Sequence, residues 1–306
     1  MEKPVDFQSG KQCLRGILHT PEKSGHNRTG IVFVNAGLVC RAGPERLYVK
    51  AARRLSGTGY SCLRFDLPGV GNSSGDFGRI SIDLFSDTSC TQRAIDFLIK
   101  ETGIQDVILI GMCTGARHAV WAARKDSRIR SLVLLSMPIT FDRTKTPLYN
   151  MRRSRRNLQG TSRNSSVKER LKSTQLGIIA RRMWSSSKPI RYSMYKYVSN
   201  TTRVLSSFLS GQRIDPTIRE GLHRSCQQLL RDGRKLYFFY GNNDTVLVQD
   251  FRTHLQSQSD VIASDKCPPF DFWFVESAGH VYSGIALQNA VIDEIAKWIG
   301  KQNSVQ

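Results

Sequence analysis

Asp106-Val107-Ile108-Leu109-Ile110-Gly111-Met112-Cys113-Thr114-Gly115 is the stretch on which the reading of this 306-residue chain turns. After Asp106 it begins as an unbroken apolar run of strand length, and it ends with a cysteine set between two glycines. Continuous apolar runs of this kind suit strands buried on both faces, as in a parallel sheet. A helical pattern follows to about Lys125. Strand, sharp turn and helix in that order leave the Cys113 side chain at the carboxyl end of a strand and the amino end of a helix.

Outward from there the same alternation repeats. Gly30 to Val34 reads as a buried strand, followed by a loop and a helix from Pro44 to about Ser56, with proline in its first turn and Gly57 and Gly59 to stop it. Tyr60 to Asp66 reads as the next strand, Leu67 to Ser73 as a Gly-rich loop, and about Asp83 to Lys100 as a long helix. Ile129 to Ser136 is a further strand. Regularity then breaks into Arg- and Ser-rich sequence until near Asp215, where it resumes: a strand from Lys235 to Tyr240, a polar loop with Asp244, a helix near Val248 to Gln256, a strand from Phe270 to Val275, and a loop with His280. The last helix, Ser283 to Gly300, carries Ile285, Leu287, Val291, Ile292, Ile295, Trp298 and Ile299 as a core-facing stripe. Strands alternating with helices predict an α/β fold with a mostly parallel, doubly wound sheet. The expected organisation is a core of residues 1–140 and 215–306, interrupted by an inserted basic cap or lid over 141–214.

Gly111-Met112-Cys113-Thr114-Gly115 has the G-x-S-x-G spacing of a nucleophile elbow, with cysteine in place of serine. The turn is so tight that side chains at the two flanking positions would collide with the neighbouring strand or helix. A thiol at the start of a helix also feels the positive end of its dipole, which favours thiolate. A buried core cysteine beside an accidental glycine pair is the plainer alternative. Against it stands the order nucleophile, acid, histidine along the chain, here Cys113, Asp244 and His280, each just after a predicted strand. In a parallel sheet such positions converge. His280 would take the thiol proton and later deliver it to the leaving group, with Asp244 fixing its tautomer. Asp244 also fits a simple turn-former and His280 a surface loop residue. Asp250 is the reserve acid, while Arg117, His118 and His223 read as solvated or packed. An oxyanion hole needs two backbone N–H groups: Thr114 supplies one, and Gly37, with Leu38 next, the other.

Composition bounds the rest. Hydrophobic residues make up 40% and charged residues 23%, in the range of a packed globular protein. No stretch reaches the roughly 20 apolar residues of a membrane span, and the N-terminus lacks the form of a signal peptide, so a cytoplasmic protein is expected. Seven scattered cysteines, Cys13, Cys40, Cys62, Cys90, Cys113, Cys226 and Cys267, form no C-x-x-C pair and read as reduced thiols. Neither metal nor cofactor is called for. Between Arg143 and Arg203 stand sixteen Lys or Arg residues against one acid, Glu169, so this window supplies +15 of the formal +20. Charge of this kind favours an anionic partner. A small-molecule acyl substrate, anionic or carrier-bound, fits, as does an anionic membrane surface, where aromatic residues such as Trp184, Tyr192, Tyr195 and Tyr197 mix with basic ones. The protein would then sit peripherally at the inner membrane surface. A merely solvated lid fits too. Nucleic acid is not favoured, for no binding motif appears. The oligomeric state stays open.

Taken together, the elbow, the Asp66-x-x-Gly69-x-Gly71-x-Ser73 loop and the terminal Gly279-His280 resemble the α/β-hydrolase superfamily. Asn35-Ala36-Gly37 followed by Arg41-x-Gly43-Pro44-x-Arg46 is similar to a branch of uncharacterised bacterial hydrolases that includes those associated with exosortase systems. The cysteine resembles that of the dienelactone hydrolases and polyhydroxyalkanoate synthases, which both use Cys, Asp and His. Where that superfamily begins its oxyanion loop with a His-Gly pair, this chain has Asn35 and Ala36. The resemblance implies an acyl-transfer enzyme that hydrolyses an ester or thioester through a covalent Cys113 acyl-enzyme. An acyltransferase passing the acyl group to an alcohol or amine is the alternative, and a non-catalytic binding protein on a hydrolase fold is another, since fold alone never establishes activity.

Overall fold

The computed structural model describes residues 1–22, 27–75, 87–139, 216–256 and 270–303. Along them run β1 (Glu2–Ser9), β2 (Gln12–His19), β3 (Thr29–Val34), a 3₁₀ turn (Pro44–Arg46), α1 (Leu47–Gly57), β4 (Cys62–Phe65), α2 (Ser89–Thr102), β5 (Asp106–Met112), α3 (Thr114–Lys125), β6 (Ile129–Leu135), α4 (Pro216–Arg231), β7 (Lys235–Gly241), α5 (Thr245–His254), β8 (Asp271–Val275) and α6 (Ile285–Asn303). The strands form one sheet in the order β1-β2-β4-β3-β5-β6-β7-β8. β1 and β2 pair antiparallel and β2 meets β4 antiparallel, while every pair from β4 through β8 is parallel. The expected α/β-hydrolase fold, a mostly parallel sheet flanked by helices, is present.

Alternation within the strands explains why both faces are covered. On β3, Val32 and Val34 join a cluster with residues of α2, α3, α4 and α5, among them Ile95, Leu98, Val120, Leu229 and Phe251. Ile31 and Phe33 join the opposite cluster, built on α1 and α6 with Leu47, Ala52, Leu55, Val291, Ile295 and Trp298. Because successive side chains of a strand point to opposite faces, an apolar run such as Val107–Ile110 feeds both cores at once: Val107 and Leu109 one, Ile108 and Ile110 the other.

Several sequence-based boundaries shift. The hairpin of β1 and β2 had no counterpart in the sequence reading. α2 starts at Ser89, and the earlier part of the expected Asp83–Lys100 helix through residue 86 lies outside the described residues. α5 begins at Thr245, directly after Asp244, and ends at His254. Ile285, expected in the core-facing stripe of the last helix, is 73% exposed, because the helix begins there and its buried side starts later. The chain divides into two units, Met1–Thr140 with Arg213–Gln306, and Phe141–Gln212. The expected cap over 141–214 lies outside the described residues, as does Cys267.

This topology fixes where a site forms. The chain goes from β3 outward to β4 on one side, then crosses to β5 on the other. The carboxyl ends of β3 and β5 are therefore the switch point at which open α/β sheets leave a crevice for ligands.

Candidate active site

Cys113 sits between β5 and α3 with φ 55° and ψ −120°, as the residue that caps the amino end of α3. That positive φ costs a non-glycine residue about 1–3 kcal/mol and persists only where the surroundings enforce it. They do so on three sides. The Cys113 N–H donates to the Leu135 carbonyl at 2.9 Å, at the end of β6. A Cβ on Gly111 would overlap the Gly115 carbonyl, and one on Gly115 would overlap the Asn35 carbonyl. The two glycines are thus required by backbone packing.

The His280 loop follows β8, and Asp244 follows β7. His280 Nδ1 and Asp244 Oδ2 are 2.7 Å apart, and Cys113 is the other ionisable side chain that acts on His280. Asp244 holds the capping position of α5, yet its side chain makes no capping bond; it faces His280 instead. The tetrapeptide Gly241-Asn242-Asn243-Asp244 is both a turn and the acid's support. Asn242 N–H donates to the Val275 carbonyl at 3.0 Å, Asn243 N–H to the Ala278 carbonyl at 2.9 Å, and Asn243 Nδ2 to the Ser277 carbonyl at 3.1 Å. A Cβ on Gly241 would overlap the Ala278 carbonyl. This lacing holds the acid's turn against the histidine's loop.

The hydrogen bond to Asp244, and after it the one to Cys113, raise His280 from the ordinary 6.5 to about 10 against the opposing effect of burial. Both partners favour the protonated imidazole. Other thiols have a different setting: burial pushes Cys226 up to about 12, and it pushes Cys62 and Cys90 up as well. Cys113 is half-buried and lies beside His280.

Gly37 lies on the loop after β3 with φ 59°, inside a turn closed by Val39 N–H donating to the Ala36 carbonyl at 3.1 Å. A Cβ added to Gly37 would stand 3.3 Å from Thr114 Oγ1. The two residues expected to form an oxyanion hole are neighbours, and the Thr114 N–H, first in its helix, has no acceptor within that helix. Asn35, 1% exposed, braces this turn: its Nδ2 donates to the Val39 carbonyl at 2.9 Å, and its Oδ1 accepts the Leu67 N–H at 2.8 Å. Buried Asp66 ties the next loop to the same place, accepting from the Arg41 N–H at 2.5 Å, from its guanidinium, and from the Asn72 N–H at 3.1 Å. A side chain at Gly71 would overlap the Asp66 carboxylate, which accounts for that glycine in the loop.

Remaining candidates fall elsewhere. Asp250 accepts the Ile139 N–H at 2.7 Å and lies 3.8 Å from His254, while Asp244 is the carboxylate at His280. His118 is fully buried with Thr91 at 2.7 Å, Arg117 is 4% exposed against Trp121, and His223 pairs with Gln227 at 3.1 Å. The braces Asn35 and Asn243 escaped the sequence reading as supports; Asn35 was marked only by standing where the superfamily has histidine. Among the described residues, no group of three or more His, Cys, Asp or Glu could hold a metal ion, and no helix is long and apolar enough to cross a membrane.

A family model described as alpha/beta hydrolase fold matches residues 31–274. Among solved structures, the chain is similar to a proline iminopeptidase from Mycobacterium smegmatis, 12% identical with a TM-score of 0.58 and 99% of each chain covered. An esterase from Pyrococcus furiosus is 14% identical with a TM-score of 0.62, over 98% of this chain and 91% of that one. A dienelactone hydrolase from Anabaena variabilis is 15% identical with a TM-score of 0.55, over 98% and 97%. At such identities the likeness is one of fold. No curated protein matches the sequence significantly.

Proposed function

The chain belongs to the α/β-hydrolase fold family, and on that premise we propose that it is an acyl-transfer enzyme that hydrolyses an ester or thioester through an acyl group held on Cys113. The single observation that carries the reading is His280 paired with Asp244 at 2.7 Å, with Cys113 as the other ionisable side chain acting on its imidazole. An imidazole beside a thiol serves as the base that takes its proton, and the thiolate so formed is the nucleophile.

In the first half-reaction the sulfur attacks the substrate carbonyl, whose oxygen takes up negative charge within reach of the Thr114 and Gly37 N–H groups. The intermediate collapses, the bond to the leaving group breaks, and the His280 proton goes to the departing alkoxide or thiolate. Cys113 now carries a thioester. In the second half, water gives its proton to His280 and attacks that carbonyl. Collapse expels the Cys113 thiolate and releases the acid. Asp244 holds the imidazole in one tautomer throughout and stabilises its charge. The cycle uses residues of this chain alone.

Sequence features support two refinements. The basic excess from Arg143 to Arg203 suits an anionic or carrier-bound acyl donor, or an anionic membrane surface. The Asn35–Arg46 segment supports a place beside the exosortase-associated hydrolases.

The test is product analysis with p-nitrophenyl esters and acyl thioesters, in wild type and Cys113→Ala, with and without added alcohol or amine. Free acid formed only by wild type supports the hydrolase. Acyl alcohol or amide formed faster than acid would make the protein a transferase. No turnover with any donor would favour a non-catalytic binding protein on the same fold.

A further inference from the structure

Ser136, the first residue beyond β6, is fully buried and takes a φ of 45°, which non-glycine residues rarely adopt. Its own N–H donates to the Phe239 carbonyl at 2.8 Å. Its hydroxyl oxygen lies 2.9 Å from the His280 carbonyl and 3.0 Å from the hydroxyl of Tyr282. Tyr282, also fully buried and with φ 53°, donates its own hydroxyl hydrogen to the Phe239 carbonyl at 2.8 Å. With that hydrogen committed, the single hydroxyl hydrogen of Ser136 is the one available to the His280 backbone.

The neighbouring residue completes the arrangement. Leu135 accepts the Cys113 N–H at 2.9 Å. Two consecutive residues at the end of β6 therefore grip the backbones of both members of the reacting pair, Leu135 that of Cys113 and Ser136 that of His280. The Asp244 carboxylate can orient the imidazole ring, but it does not fix how far the His280 backbone stands from the elbow.

We propose that Ser136 is a positioning residue whose hydroxyl, shared with Tyr282, sets the distance between the Cys113 sulfur and the His280 imidazole. This rests on the reading of Cys113 and His280 as the reacting pair. Two strained residues in one buried network fit such a role, since backbone strain gathers where geometry is functional.

The test is the rate of alkylation of Cys113 by iodoacetamide, followed by peptide mass mapping, as a ratio between about pH 6 and about pH 9.5, on either side of the roughly 8.5 of a free thiol. The titratable and charged groups facing the Cys113–His280 pair are Asp244, from the turn after β7, Tyr48 on α1 and Arg117 on α3. Ser136→Ala is expected to lower the ratio about tenfold, the equivalent of one buried hydrogen bond. Ser136→Gly, whose backbone suits a positive φ and so safeguards folding, is expected to lower it equally. Tyr282→Phe, which leaves the Ser136 hydrogen to His280 alone, is expected to keep the ratio at the wild-type value.

A wild-type ratio in both Ser136 variants, whatever their melting temperatures, would overturn the proposal. So would a fall in Tyr282→Phe as deep as in Ser136→Ala. Alkylation needs no acyl donor. A wild type that forms no acyl adduct while the Ser136 variants lose their ratio would therefore defeat the proposed reaction and leave the positioning role standing.

Discussion

Around Gly111–Gly115 the chain is shaped by what is missing: side chains at either glycine would overlap a backbone carbonyl, so α3 packs against the ends of β3 and β5 with nothing between them. Around Asp244 and His280 it is shaped by what is present, a row of N–H and amide donors from Asn242 and Asn243 to the carbonyls of the histidine's loop. Both regions meet at one sulfur. The first is rigid because it is backbone on backbone; the second is adjustable, because each hydrogen bond is worth only about 1 kcal/mol and can be lost singly.

That contrast orders the expected effects of substitution. Gly115→Ala strikes the rigid side, where neither Val34 nor Asn35 can withdraw without disturbing β3. It is expected to cost about 3 kcal/mol, at the upper end for overpacking, by urea denaturation, and to abolish acylation. Gly241→Ala also overlaps a carbonyl, but one in a loop. It should therefore lose rate more than stability, and equal stability losses for the two glycines would erase the contrast.

Asp244→Asn leaves the shape intact and removes the charge facing His280. A fall in kcat on the order of 10⁴-fold is expected, as when the acid of a comparable triad loses its charge. NMR titration should find His280 moved down from about 10 towards the ordinary 6.5. Asn243→Ala removes one donor of the lacing and is expected to cost about tenfold in kcat with KM little changed, the worth of one hydrogen bond.

The smallest effect is on stability against pH. His280 titrates near 10 in the folded chain against about 6.5 unfolded. The folded state holds its proton more tightly, so the pairing with Asp244 stabilises the fold fully below about pH 6.5, and that stability is lost as pH rises through about 10. Urea midpoints should drift down across this window in wild type, and more shallowly in Asp244→Asn.

Legibility in the sequence followed the range of the interactions. The elbow could be read because strand, two glycines and helix lie within twenty residues and the reason for each glycine is local. The convergence of Cys113, Asp244 and His280 was legible only through their order along the chain and the rule that parallel strands gather their carboxyl ends. β1 and β2 escaped for a physical reason. They form the antiparallel end of the sheet, and β1 buries only Val5, Phe7 and Ser9, with Pro4 tolerated on an edge strand. So weak an alternation does not stand out. Ile285 misled because a helical stripe says nothing of where the helix leaves the surface. Ser136 and Asn243 act through backbone carbonyls of the remote loop after β8, and Asn35 joins its own turn to the distant Leu67 N–H, and no spacing in the sequence points to those.

The measurement that bears most directly on the central claim is the intact mass of the protein after brief exposure to an acyl thioester, in wild type and in Cys113→Ala, with the modified residue mapped by peptide mass. The expected result is a gain of one acyl group on Cys113 in wild type, decaying in water, and no gain in the variant. An acyl group that persists in Cys113→Ala, or one that maps to another residue, would contradict the account.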